Sequence, residues 1–153
     1  MRITTLELFA LVSAGMMTGN ELCVSIFHAQ IRRMEEKVEF EMGQASAAAF
    51  GKFMPFWYAA TLLLTGAVAY SLRGSRAPAL LADISAALWL LSIVLTVTLL
   101  VPINSRIAGW KWETRPADWP QARRTWDTRH AVRVCLLLAA LLCLVFASLL
   151  PSA

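Results

Sequence analysis

"RRTWDTRHAVRVCLLLAALLCLVFASLL", residues 123–150, sets four arginines and a histidine against a run, Val134 to Leu150, that carries no charge. Such a run approaches the ~20 apolar residues that a helix needs to cross ~30 Å of hydrocarbon. The charge at its mouth must then be solvated at the headgroups or paired inside protein. Which of these holds separates a plain membrane bundle from a bundle that contains a polar site.

Two further runs, Phe53 to Leu72 and Ile84 to Ile103, are also uncharged. Ile3 to Phe27 is interrupted by Glu7 and Glu21, but "LFALVSAGMMTG" between them is apolar enough to insert. We read four spans, near residues 4–27, 53–72, 82–103 and 132–150, in one all-α transmembrane four-helix domain covering 1–153. Composition agrees: 58% of residues are hydrophobic and 16% charged, with a mean hydropathy of +0.59, well above an ordinary soluble domain. Arg2 ahead of an apolar stretch and the small Ser13-Ala14-Gly15 resemble a cleaved leader. Glu7 breaks the charge order of a leader, however, and a polar pattern runs on through the would-be cleavage point, so the segment reads as a retained span.

The net charge of +4 would suit nucleic acid, but its distribution suits a membrane. With four spans, Arg2, Arg73 and Arg76 share one side. Arg32, Arg33, Lys37 and Lys52, with the basic residues from Arg106 to Arg133, share the other. The positive-inside rule then places the two long loops in the cytoplasm and both termini outside, as in a bacterial inner membrane, with lipid as the partner and no nucleic acid. Cys23, Cys135 and Cys143 fall within spans and lack C-x-x-C spacing, so they read as small buried core residues and no disulfide framework follows.

"EEKVEFEMGQASAAAFGKF", residues 35–53, reads as a continuation of helix one into water. "RGSRAP", residues 73–78, is a tight turn. The third connection, Ser105 to Arg129, holds Pro116 and Pro120 and cannot be one regular helix. Its Trp110, Trp112 and Trp119 suit either anchoring at the headgroups or an aromatic lid over a flat ligand. Gly15 and Gly19 form a G-x-x-x-G that allows close helix approach, within the bundle or in a homo-oligomer.

Polar residues fall in stripes. Thr18, Glu21, Ser25, His28 and Arg32 recur at steps of three and four, so they share one face of the first helix. Arg123, Trp126, His130 and Arg133 do the same on the last, and Tyr58, Thr61 and Thr65 on the second, while the third ends in Pro102-Ile103-Asn104. An ionisable group at the centre of a span costs ~2.5 to 3.5 kcal/mol on insertion scales and is therefore turned inward and paired. The four clusters are thus expected to converge on one cavity, with Arg133, His130 or Arg32 as partner to Glu21. The plainer alternative is an interhelical ion-pair network without a ligand.

Two imidazoles at matching depth suit proton transfer near neutral pH. Further ligands for a protein-bound metal are few, Glu21 and the off-stripe Cys23, so no metal or cofactor is expected; a haem or metal ion held by His28 and His130 is the redox alternative.

Pro102-x-Asn104, followed by Trp126-x-x-x-His130-x-x-Arg133 leading into the last span, resembles the small four-span membrane proteins grouped with fungal anthrone oxygenases. Members of that family often carry a His-Pro pair at the end of the first span, where this chain has His28-Ala29. The resemblance implies oxidation of a flat phenolic or polyketide-like molecule, an anthrone in the type case, by molecular oxygen without a conventional cofactor. It implies a neutral histidine as base, with His130 preferred over His28, and Glu21 orienting an imidazole. Arg133 and Asn104 would stabilise the developing oxyanion, with Trp126, Tyr58, Arg123 and Arg32 holding the ligand. From another class, the same groups would grip a quinone, a lipid headgroup or a membrane enzyme in a non-catalytic subunit.

Overall fold

The computed structural model describes residues 3–151, and every regular element among them is helical. Arg2 lies outside the described residues. Four helices, α1 (Thr5–Ile31), α2 (Glu36–Ser71), α3 (Arg76–Ala108) and α4 (Trp119–Leu149), are each long and apolar enough to cross a membrane. Each packs against its two neighbours around the bundle. Phe9, Met16, Leu63, Leu90, Leu142 and Phe146 point outward, as lipid requires, so the chain is an integral membrane protein.

The charge that interrupts the first span has a local cause. The Glu7 carboxylate accepts from the Thr4 backbone N–H at 2.7 Å, and the Thr4 hydroxyl accepts from the Glu7 N–H at 3.2 Å. This reciprocal capping box satisfies orphan donors at the start of α1 and puts negative charge at the positive end of its dipole.

Residues 35–53 do not continue helix one. α1 stops at Ile31, a short turn follows, and the segment opens α2. At ~1.5 Å per residue the 36 residues of α2 reach ~54 Å, far beyond the ~30 Å of hydrocarbon, so its charged first half projects from the membrane. Running back this way buries Phe40 against Trp112 and Trp119, with edge-on ring contacts at 5.6 and 5.5 Å. The Trp119 indole N–H donates to Glu36 at 3.1 Å, and the Arg115 guanidinium lies 3.3 Å above the Trp112 ring. Trp112 and Trp119 thus fasten their connection to α2, away from the cavity described below.

That connection is shorter than 105–129. α3 runs on to Ala108 and α4 begins at Trp119, with Pro120 in its first turn, where a missing N–H costs nothing. Pro116 stays between the helices, and a single 3-10 turn, Trp112–Thr114, fills the gap. The expected turn at residues 73–78 is present, with Pro78 in the first turn of α3.

Ala10, Ala14, Met17, Val68, Ala82, Leu137, Ala140 and Leu144 fill the core, where small residues let the helices close. Ser85 donates to the Ala140 carbonyl at 2.7 Å, and Ser13 meets Thr61 at 2.7 Å, so interhelical hydrogen bonds support the packing. Gly15 and Gly19 take no part: a Cβ built at either meets nothing within 4 Å. The cysteines are not core residues either. Cys23 and Cys135 are exposed and Cys143 is half-buried. Lipid is as apolar as the interior, so a thiol gains nothing by turning inward.

Candidate active site

Two local irregularities open space between the helices. Pro55 inside α2 removes one helical N–H, and α3 widens into a π-helical turn at Thr96–Leu100, just before Pro102. Between them lies a cavity of about 250 Å³ with walls from all four helices. Glu21 and His28 come from α1, Gly43, Ser46 and Tyr58 from α2, Thr96 and Asn104 from α3, and Arg123, Trp126 and Arg133 from α4.

At its inner end, one carboxylate gathers three elements. Arg133 Nη2 donates to Glu21 Oε2 at 2.5 Å and the Tyr58 hydroxyl donates to Oε1 at 2.8 Å. Arg133 Nη1 also donates to Thr96 Oγ1 at 3.1 Å, which ties the π-helical turn to the network. Glu21 and Arg133 are both buried, so a charge on one helix is matched by a charge on another.

His130 Nε2 lies 3.1 Å from the Glu21 backbone carbonyl, and its Nδ1 lies 2.8 Å from Arg133 Nη2. A carbonyl only accepts and a guanidinium only donates, so the ring is the neutral tautomer with its proton on Nε2. His28 has the same pattern. Its Nδ1 accepts from Arg123 Nη2 at 2.5 Å, its Nε2–H donates to Ser46 Oγ at 3.1 Å, and Ser46 passes a bond to the Gly43 carbonyl at 3.0 Å. Asp127 pairs with Arg32 at the rim and lies 3.8 Å from His28 Nδ1. Gly43 makes room for this arrangement, since a Cβ there would sit 3.3 Å from Arg123 Nη1.

Trp126 joins the two halves. Its ring stacks on His130 with centroids 4.6 Å apart and planes 10° from parallel, and it meets the His28 ring at 4.9 Å. The Arg123 guanidinium lies 5.0 Å from the same indole. Among the described residues, three nitrogens on side chains of the wall are buried without a hydrogen-bond partner: Trp126 Nε1, Arg123 Nε and Arg133 Nε. Such groups are costly to leave unsatisfied. The Asn104 side chain, half-buried in the wall, has no hydrogen-bond partner among the described residues either.

Of the residues singled out by sequence, Glu21, His28, Tyr58, Asn104, Arg123, Trp126 and Arg133 line the cavity. His130 is set back from it, stacked on Trp126. Arg32 stays at the rim with Asp127. Thr61 and Thr65 turn away, bonding the Trp57 and Thr61 carbonyls, and Thr18 and Ser25 are not in the wall. Sequence reasoning missed Asp127, although it falls four residues after Arg123 and three before His130, on the same face. It also missed Gly43 and Ser46, because their segment had been placed on the wrong helix.

Among the described residues, no three His, Cys, Asp or Glu side chains gather as a metal site requires. The imidazoles of His28 and His130 both contact the Trp126 indole, and both Nδ1 atoms are engaged by arginine. The wall thus combines the indole of Trp126, the guanidinium groups of Arg123 and Arg133 and the imidazole of His28.

No curated protein and no solved structure matches the chain. A family model described as anthrone oxygenase does, over residues 45–143, from the projecting half of α2 to the last turns of α4. The match leaves out α1, with Glu21 and His28, and spans more than half of the chain, which therefore belongs to the anthrone oxygenase family.

Proposed function

We propose that the protein is a membrane oxygenase that converts the activated methylene of a flat phenolic or polyketide-like molecule to a carbonyl, using dioxygen and no bound cofactor. The observation that carries this reading is the cavity wall itself: His28, Arg123, Trp126 and Asn104 meet there, with donors left unpaired. The site is read as facing the cytoplasm, with both termini outside, on the strength of the basic residues in the long connections.

In this reading the ring system lies along Trp126, and its carbonyl oxygen takes hydrogen bonds from Arg123 and Asn104. As Arg123 turns to that oxygen it releases His28 Nδ1, whose lone pair accepts a methylene proton. Asp127, 3.8 Å away, then faces the imidazolium that forms. The C–H electrons delocalise into the ring as an aromatic enolate, stabilised by the two donors in a site of low dielectric. The enolate passes one electron to dioxygen, and the resulting radical pair combines at carbon into a peroxide anion, which takes the proton back from His28. His28 next removes the remaining proton at that carbon while the O–O bond breaks. The departing hydroxide is protonated to water and the carbon becomes a carbonyl. Overall, CH2 plus O2 gives C=O plus H2O, a four-electron oxidation of carbon matched by reduction of dioxygen.

His28 is preferred to His130 as the base because it lines the cavity, whereas His130 stacks on Trp126 and positions Arg133 and the backbone at Glu21. The test is oxygen uptake and quinone absorbance with anthrone and the detergent-purified chain. His28→Ala is expected to lose about 100-fold in kcat, the scale of a general base. Wild-type rates in that variant would remove His28 from the reaction, and binding of anthrone without turnover by the wild type would make the protein a binding subunit.

A further inference from the structure

One side of the cavity is not closed by protein. Gly51, Pro55 and Ala59, at steps of four on α2, line it and are also exposed on the outer surface. So are Val97 and Val101, four apart on α3. Residues that touch both the interior and the exterior mark an opening, and here the rims are two helices that face each other. At the level of Ala59 the gap is shut by Tyr58 on Trp89, with ring centroids 5.7 Å apart. At the other end Gln44 Nε2 donates to the Ile107 and Trp110 carbonyls at 2.7 and 2.9 Å, clasping α2 to the end of α3.

The stretch between these ties contains Pro55 on one rim and the π-helical turn on the other, and a Cβ built at Gly51 meets nothing within 4 Å. The surface around the opening is hydrocarbon, with Phe50, Phe53, Phe56, Val94 and Leu99 all exposed. Lys52 carries the last charge before the uncharged run that begins at Phe53, so Gly51 lies near headgroup level. Ala59, eight residues on, is ~12 Å further in at ~1.5 Å per residue. The opening therefore faces acyl chains rather than water. Behind it, in the wall, stand Trp126 and Arg123, whose Nε1 and Nε are buried without a hydrogen-bond partner.

We infer that the gap between α2 and α3 is a lateral portal through which the cavity takes a flat aromatic molecule dissolved in the bilayer. The ligand class rests on the function proposed above; the route rests on the rims. A ligand sliding in this way crosses apolar side chains first and meets the polar donors last, so its hydrogen-bonding end leads.

The test measures the kinetics of ligand binding rather than turnover. The full chain is reconstituted in vesicles, and binding of anthraquinone dissolved in the same lipid is followed by quenching of tryptophan fluorescence. The double variant G51L/A59L narrows the rim without adding a fluorophore, and Phe56→Leu, outward and off the wall, is the control. A portal predicts that association and dissociation both slow about tenfold in the double variant while Kd holds, a change within the range seen among mutants of one site. Unchanged rates in a folded, monodisperse double variant would overturn the portal. Faster association of a sulfonated anthraquinone confined to water would also overturn it, as would absence of binding by the wild type. If the rim variants slow binding but no anthrone is oxidised, the portal stands and the oxygenase reading falls.

Discussion

Glu21 on α1 and Arg133 on α4 meet at 2.5 Å in the buried centre of the bundle, and Tyr58 on α2 holds the other carboxylate oxygen at 2.8 Å. Three of the four helices are thereby pinned at one point. Removing one partner of a buried pair costs about 3 to 5 kcal/mol because the other charge is stranded. Glu21→Ala is therefore expected to lower the detergent unfolding midpoint sharply, and the double variant Glu21→Ala/Arg133→Met to recover most of that loss. A single variant as stable as the wild type would show that the pair contributes nothing to the fold.

Trp126→Phe keeps an aromatic face against His28 and His130 but deletes a donor that has no protein partner. Stability should stay within about 1 kcal/mol, since no intramolecular hydrogen bond is lost. Anthraquinone affinity should fall about tenfold, the worth of one hydrogen bond near 1.4 kcal/mol. Equal affinity in titrations of the two proteins would mean that the indole N–H does not reach the ligand.

Gly43→Ala separates stability from chemistry. Alanine is better than glycine in a helix interior by about 1 kcal/mol, so the melting temperature should hold or rise. The new Cβ, 3.3 Å from Arg123 Nη1, would shift the guanidinium by a few tenths of an ångström and misalign it on His28. We expect kcat on anthrone to drop about tenfold, as loss of one aligned donor allows. A less stable protein with full activity would contradict both halves of this prediction.

The membrane helices were legible in the sequence because length and absence of charge suffice to define a span. So was the convergence of Glu21, His28, Arg123, Trp126 and Arg133, since a 3.6-residue repeat fixes which side chains share a face. The course of α2 was not legible. Met34-Glu35, where the chain reverses, carries neither proline nor glycine, and the partner that decides the matter, the Trp112 and Trp119 contact with Phe40, lies some 70 to 80 residues away in sequence. That error hid Gly43 and Ser46. The set-back position of His130 was also out of reach, because a helical wheel gives the face of a side chain but not whether a neighbouring indole covers it.

Pro55 has one more effect, on selectivity. With no N–H of its own, it deprives the Gly51 carbonyl of the donor a regular helix would supply, and Gly51 stands on the rim of the opening. Phospholipid tails crowd that threshold at far higher concentration than any metabolite, yet they have no hydrogen to replace that donor. A hydroxylated ring does, so the portal inferred above would favour phenols over the lipid in which they are dissolved.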